Sequence, residues 1–319
     1  MLISYIIPCY KSGDNIAKVV AEIVGTMDGN TKYDYEIILV NDCSPDDTYQ
    51  RLKKLAKINP QIIAVDLAKN KGQAAAIMCG LRQASGDYIV CGDDDGQTPF
   101  NTIFDLIGKL ETEDYDVVCG KYTSRERTSQ FRKLGTKINT TMTRYMLEYP
   151  KGLYLSAYFV ARKFVIDELI KYPNPYPYIT GLLYQITSRI GNVDVPQRRR
   201  IEGKSGYTFK KLLSLWLNGF TAFSIKPLRI ATVFGCLFSV LGFIITLLLI
   251  IMKFLNPNIA VGWTSTIALT FVLGGIILLV MGMIGEYIGR IYISINKAPQ
   301  YVIRNSTKAD EYENEKIKL

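Results

Sequence analysis

Histidine is absent from all 319 residues. That excludes Ser-His-Asp and Cys-His nucleophile pairs and histidine-ligated metals, so a bound metal needs carboxylate ligands and any catalytic base must be another side chain. Cysteine is sparse and unpatterned: Cys9, Cys43, Cys79, Cys91, Cys119 and Cys236 form no Cys-x-x-Cys pair. They read as small buried hydrophobes in a reducing compartment. A cleavable leader is not expected, because the apolar start Met1–Pro8 is short and ends in proline. Charge is missing from two stretches, Ile230–Met252 and Trp263–Gly285, each 23 residues long. Either is long enough to cross a hydrocarbon core of about 30 Å.

The charge that is present is unevenly placed. The net formal charge is +9, and Gln197–Arg229 holds eight Lys or Arg against one acidic residue, Glu202. This basic segment lies directly before the first apolar run, where it is attracted to anionic headgroups and marks a cytoplasmic flank. A bilayer is therefore the expected partner, and nucleic acid is not. Lys226 and Arg229 precede the first run and Arg290, Lys297 and Arg304 follow the second, whereas Lys253–Gly262 between them holds a single Lys. That asymmetry predicts a multi-pass cell-membrane protein with both termini and the N-terminal domain on the cytoplasmic side. Gly274, Gly275, Gly282 and Gly285 allow close helix contacts, within a hairpin or in a homo-oligomer.

In the first 120 residues short apolar runs alternate with amphipathic stretches: Leu2–Ile7 and Asn15–Met27, Glu36–Val40 and Pro45–Ile58, Ile62–Val65 and Gly72–Ala84, Tyr88–Cys91 and Pro99–Leu110, then Asp116–Cys119. The pattern predicts an α/β domain with a mostly parallel sheet covered on both faces. Ligands on such sheets bind at the carboxyl ends of the strands, which singles out the segments following each run. Beyond Thr128 the pattern weakens. A helix is expected at Phe131–Leu147, and Tyr207–Ser224 sets Leu212, Leu213, Leu215, Trp216, Leu217 and Phe220 beside Lys210 and Lys211, as an interfacial amphipathic helix or a core helix would. The charged tail after Ser306 has no apolar period and is expected to be mobile.

Asp93, Asp94 and Asp95 stand together just past the fourth run, followed by Gln97. Adjacent carboxylates repel one another, and a Mg²⁺ or Mn²⁺ ion holding a pyrophosphate would neutralise them; a solvated acidic turn capping the next helix is the other reading. Asp42 ends the second run, where it is placed to accept from a nucleobase or ribose, while Ser44, Asp46 and Asp47 suit helix capping. Tyr10 offers an aromatic face to a base or packs locally. Arg200 and Lys204, in a Gly-containing loop with Ser205, suit anionic oxygens of a donor diphosphate, an acceptor phosphate or lipid headgroups.

In order and spacing, several motifs resemble one family over nearly the whole chain. They are Pro8-x-Tyr10, Asp42 within Asn-Asp-x-Ser-Pro-Asp-Asp-Thr, Lys71-Gly72, Asp93-x-Asp95-x-Gln97, Arg200-x-x-Gly203-x-Ser205, Pro227-Leu228-Arg229, Gly285-Glu286-Tyr287-x-x-Arg290 and Tyr301-Val302. The family is the GT-A-fold family 2 glycosyltransferases, in particular the polyprenyl-phosphate branch with dolichyl-phosphate mannose synthases and bacterial undecaprenyl-phosphate glycosyltransferases. The resemblance implies a Rossmann-like GT-A catalytic domain. It also implies a metal and diphosphate gathered by Asp93, Asp95 and Gln97, with Asp93, Asp95 and Arg200 catalytic. Pro8, Tyr10, Asp42 and Lys71 would frame the nucleotide-sugar, joined by Asp14, Asp94 and Lys121, and Arg200 would meet phosphate. Acceptor phosphate contacts fall to Arg125, Arg127, Arg200, Lys204 and Ser205. Lys11-Ser12 stands where relatives commonly carry Asn-Glu, and Gly206 where they carry Lys, leaving Asp14 and Lys204 as the nearest substitutes.

The expected organisation is a catalytic domain at 1–206, a juxtamembrane amphipathic helix at 207–228, two transmembrane helices within 229–290 (about 230–252 and 263–285) and a cytoplasmic tail at 291–319. The expected activity is inverting transfer of a single sugar from a nucleotide-diphosphate sugar, UDP before GDP, to an undecaprenyl-type phosphate. A processive polysaccharide synthase or a non-catalytic membrane scaffold are the alternatives. The first would carry a Gln-x-x-Arg-Trp motif, and neither Trp216 nor Trp263 follows one.

Overall fold

A computed structural model describes residues 1–13, 15–123, 144, 150, 152–175, 177–196, 198, 226–255, 262–296 and 298–308. It divides into two compact units, Met1–Tyr207 with Lys297–Leu319, and Thr208–Asn296.

The first unit is built on one eight-stranded sheet. In chain order its elements are β1 (Leu2–Cys9), α1 (Asn15–Met27), β2 (Asp34–Asn41), α2 (Thr48–Ile58), β3 (Ile62–Leu67), α3 (Gln73–Gln83), β4 (Tyr88–Cys91), a 3₁₀ turn (Phe100–Thr102) and α4 (Ile103–Thr112). Then come β5 (Val117–Tyr122), β6 (Phe159–Arg162), α5 (Lys163–Leu169), α6 (Ile179–Ile186), β7 (Ile190–Val195) and, far along the chain, β8 (Ile303–Ser306). The strand order is β7-β5-β6-β4-β1-β2-β3-β8. Central β1 is buried from Ile3 through Cys9, the uninterrupted burial of a strand covered on both faces. Helix α1 turns Ile16, Val19, Val20, Ile23 and Met27 inward, one apolar stripe at helical spacing. Beneath it Tyr5, Phe100 and Tyr158 meet edge to face, with centroids 6.0 and 5.8 Å apart. These rings favour that geometry because a ring's positive edge meets its neighbour's negative face.

The sheet is mixed where the sequence pattern predicts it mostly parallel. β1–β2, β1–β4, β2–β3 and β5–β7 are parallel, but β6 inserts antiparallel between β4 and β5, and β8 runs antiparallel along β3. Strand β6 has only four residues, too few to show a period, and it follows a connection of more than thirty residues, so its direction is not written in local sequence. Strand β8 exposes Ile303, Arg304 and Asn305 as an edge strand does; its pairing is a backbone ladder rather than an apolar pattern. It lies in the segment expected to be a tail.

Among its described residues the second unit holds two helices, α7 (Lys226–Leu255, 30 residues) and α8 (Trp263–Ile295, 33 residues). At 1.5 Å rise per residue they are about 45 and 50 Å long. In α8, Val272–Gly289 is apolar and long enough to cross a membrane, with mean hydropathy 1.9 and none of it buried. Apolar side chains stand exposed along both helices, among them Phe243, Leu247, Leu278 and Met281. The expected amphipathic helix at 207–224 and all of 131–147 except helical Arg144 lie outside the described residues.

Gly86 marks the tightest approach at the amino edge. A Cβ there would sit 2.7 Å from the Leu2 carbonyl oxygen and 2.9 Å from the Ser4 nitrogen, backbone atoms that cannot turn aside, whereas one on Gly108 of α4 would meet nothing within 4 Å. Gly86→Ala should therefore lower unfolding stability by about 1–3 kcal/mol, while Gly108→Ala should raise it by up to about 1 kcal/mol. Thermal unfolding of the two variants in detergent checks both signs.

Candidate functional site

Strands β2 and β3 extend the sheet to one side of β1, and β4 joins on the other. The strand order thus switches between β1 and β4, and the crevice that forms at their carboxyl ends is where ligands of such sheets bind. The β1–β4 pairing stops at Ile6 and Cys91, closed by the Gly92 N–H donating to the Ile6 carbonyl at 3.3 Å. Beyond that point the two strands part. Pro8 lies just there. The Cys9 carbonyl accepts from Asp42 N–H on the β2 side, so by alternation Pro8 faces β4, where the ladder has ended and its missing N–H leaves no gap.

Four loops border the crevice, and polar side chains tie them together. Asp94 turns back toward β1, its Oδ2 accepting from the Tyr10 N–H at 3.3 Å and from the Ser12 hydroxyl. Burial pushes its carboxyl above the usual range, against the pull of those two hydrogen bonds. The Lys11 N–H donates to Ser44 Oγ at 3.1 Å, and the Ser12 N–H to Thr48 Oγ1 at 3.2 Å, joining the loop after β1 to the loop after β2. Lys11 and Cys43 both hold positive φ, 55° and 52°, sparsely populated backbone that persists only where surrounding bonds impose it.

Asp42 is buried and accepts the Lys71 N–H and the Gly72 N–H, each at 2.8 Å, one on each carboxylate oxygen. Burial raises its pKa and the two N–H donors oppose the shift. Its place at the end of β2 is as expected. Its visible work is to order the Ala68–Gly72 loop, whose Gly72 takes φ 89° ahead of α3 and whose Lys71 stands exposed.

Asp93 accepts from Gln73 Nε2 at 2.7 Å, and Asp95 accepts from the Gln97 N–H at 3.0 Å. With Asp94 turned to Ser12, the acidic run does not act as a block of three, and among the described residues no three His, Cys, Asp or Glu side chains gather at one point. Asp93 and Asp95 take donors other than those that hold Asp94. Gln97 sends Nε2 to the Arg198 carbonyl at 3.2 Å, connecting the acidic loop to the segment leaving β7. Tyr122, at the end of β5, is pushed up to about 12 by burial, with the Asp93 charge adding to the effect.

Of the remaining expected residues, Tyr10 is exposed with the Lys11 ammonium 5.6 Å from its ring centroid, and Lys121 lies 3.6 Å from Asp194 on neighbouring β7. Asp14, Arg125, Arg127, Arg200, Lys204 and Ser205 lie outside the described residues. Sequence reasoning gave no site role to Ser12, Gln73, Tyr122 or Arg198. Arg198 donates to Glu22 of α1 and to Asn101 before α4, both at 2.6 Å, and Glu22 also accepts the Asn101 N–H at 3.1 Å. In sequence it is one of three consecutive arginines, and nothing local separates the anchoring one from its neighbours.

The chain matches the family model described as Glycosyl transferase family 2 over residues 4–170 and the one described as GtrB C-terminal hairpin over residues 226–291. It is 33% identical over 310 residues to an undecaprenyl-phosphate 4-deoxy-4-formamido-L-arabinose transferase of Proteus mirabilis, covering 95% of this chain and 93% of that one. It is 31% identical over 303 residues, at 95% and 93% coverage, to a Bacillus subtilis protein described as uncharacterized glycosyltransferase YkcC. The solved glucosyl-3-phosphoglycerate synthase of Mycobacterium tuberculosis, in complex with Mn²⁺, UDP-glucose and phosphoglyceric acid, shares the fold. Its TM-score is 0.51 at 21% identity, covering 70% of this chain and 78% of that one.

Arg198 and Glu22 form an ion pair, with side chains 34% and 24% exposed. A double-mutant cycle with Arg198→Ala and Glu22→Gln should give a coupling of about 0.5–1.5 kcal/mol in unfolding free energy. Additive single effects would mean that the pair anchors nothing.

Proposed function

We propose, from the premise that this chain belongs to glycosyl transferase family 2, that it moves one sugar from a nucleotide-diphosphate sugar to an undecaprenyl-type phosphate at the cytoplasmic face of a membrane. The observation that carries the donor half is the switch-point crevice, where Asp93 and Asp95 follow β4 with Gln73 and the Gln97 N–H as donors while Asp94 is held by Tyr10 and Ser12. Support for the acceptor half comes from the named activity of the arabinose transferase relatives and from the hairpin match. The two long apolar helices and the basic residues flanking them support a hairpin crossing the bilayer with both flanks cytoplasmic.

Asp93 and Asp95, with the Gln97 amide oxygen, offer the hard oxygen ligands that Mg²⁺ or Mn²⁺ prefers, and two carboxylates suffice where phosphate oxygens complete the shell. When bound, such an ion supplies charge stabilisation to the departing diphosphate. The chain's own residues do the rest. Asp42 and Gly72 present Lys71 at the nucleotide side, Tyr10 offers its ring to the base, and Arg200 and Lys204, with Arg125 and Arg127, attract the two anions. An oxygen of the acceptor phosphate forms the new bond to the anomeric carbon from the face opposite the diphosphate. The old carbon–oxygen bond breaks with its electron pair leaving on the diphosphate, and the configuration inverts. The acceptor oxygen is already anionic at neutral pH, so the step requires no strong base, consistent with a chain that has no histidine.

Asp95→Asn should lower transfer by at least about a hundredfold while leaving the unfolding midpoint unchanged, and a chelator should abolish wild-type turnover until Mg²⁺ or Mn²⁺ is restored. Transfer by Asp95→Asn at the wild-type rate would remove the acidic pair from the reaction.

A further inference from the structure

The final described stretch of the chain, residues 298–308, is bonded to the rest of the first unit along its length. The Gln300 amide donates to the Tyr172 and Asn174 carbonyls at 2.8 and 2.7 Å. Thr307 Oγ1 accepts the Ala64 N–H at 3.0 Å. Between them β8 lies along β3 with Val65 opposite Ser306, Asp66 opposite Asn305, and Leu67 opposite Ile303. Arg304 is the residue left over. The register shifts at that point, and a bulge of this kind re-aims the side chain of the extra residue.

That side chain reaches the donor side of the crevice. Arg304 donates from one guanidinium nitrogen to the Ala68 carbonyl at 2.8 Å, and its other terminal nitrogen lies 3.7 Å from Asp66 Oδ2. The Ala68 N–H donates in turn to the Val302 carbonyl at 2.8 Å. Asp66 is buried, and its Oδ1 accepts from Asn41 Nδ2 at 2.7 Å; Asn41 Oδ1 takes the Ser44 N–H at 3.3 Å. The Ala68–Gly72 loop is thus gripped at both ends, by Asp42 at Lys71 and Gly72 and by the C-terminal strand at Ala68.

We infer that Arg304 is a positioning residue of the donor site: the bulged C-terminal strand fixes the Ala68–Gly72 loop and thereby places Lys71 for the nucleotide-sugar. This rests on the donor-site reading above. An interior strand could not supply the residue, because only a strand at the open edge of β3 can bulge without breaking a second ladder. The Arg304 side chain is 53% exposed, and without its guanidinium the buried Asp66 keeps the Asn41 donor at 2.7 Å.

The test uses the full chain in detergent with Arg304→Gln and Arg304→Lys. Without ligand, amide exchange at 68–72 should quicken roughly tenfold in Arg304→Gln, with α1 and β4 unchanged. In turnover, KM for the nucleotide-sugar should rise roughly tenfold with kcat within about twofold, and Arg304→Lys should recover part of both effects by donating to Ala68. Unchanged exchange at 68–72 would overturn the anchoring. Quickened exchange with an unchanged KM would overturn the positioning role. Neither result touches the transferase assignment, which stands or falls on wild-type turnover.

Discussion

Three carboxylates in succession cannot all face the same crevice cheaply: two unit charges 4 Å apart repel by about 4 kcal/mol at an effective dielectric of 20. The middle one, Asp94, is withdrawn into the protein by the Tyr10 N–H and the Ser12 hydroxyl. That inward turn parts Asp94 from Asp93 and Asp95, which accept from Gln73 and the Gln97 N–H instead. It also fastens the loop after β4 to the loop after β1 across the gap where those strands part. From there the bracing spreads through Lys11 to Ser44, through Ser12 to Thr48, and through Asp42 to Lys71 and Gly72. Most of these bonds bring backbone N–H groups to side-chain oxygens, so the crevice is shaped by the loops' own main chain.

Much of this was legible in the sequence. The alternation of apolar runs with amphipathic stretches placed β1 to β5 and α1 to α4 within a few residues, because covered strands and one-sided helices each impose their period on the chain. Asp42, Asp93 and Asp95 stand out as candidates in the sequence because they lie in loops that follow buried strands. Partnerships were not legible. Asp94 looks like its neighbours in sequence, yet its carboxylate is spent on two loop donors. Arg198 is one of three arginines, and only the fold shows that Glu22 and Asn101 hold it. Strands β6 and β8 escaped for a different reason: they lie outside the alternation of runs and helices, and their antiparallel pairing is decided by the backbone of another part of the chain.

The C-terminal strand changes how the second unit relates to the first along the chain. The sequence leaves the sheet after β7, passes through two helices of 30 and 33 residues, and returns to the free edge of β3. An exposed edge would otherwise present unpaired N–H and C=O groups. Residues that follow the second matched segment, 226–291, thus close the edge of the sheet that carries the first, 4–170. The absence of histidine is compatible with the same account, because an anionic acceptor needs alignment more than activation.

The central claim is that the sugar moves once, to a lipid phosphate. Purified chain in detergent, supplied with undecaprenyl phosphate, Mg²⁺ or Mn²⁺ and a panel of UDP- and GDP-sugars, tests it directly by mass spectrometry of the lipid fraction. The expected product is a lipid carrying one sugar through a phosphodiester of inverted anomeric configuration, formed in step with released nucleoside diphosphate. A lipid-free polymer, or a donor that binds without any transfer to the lipid, would contradict it.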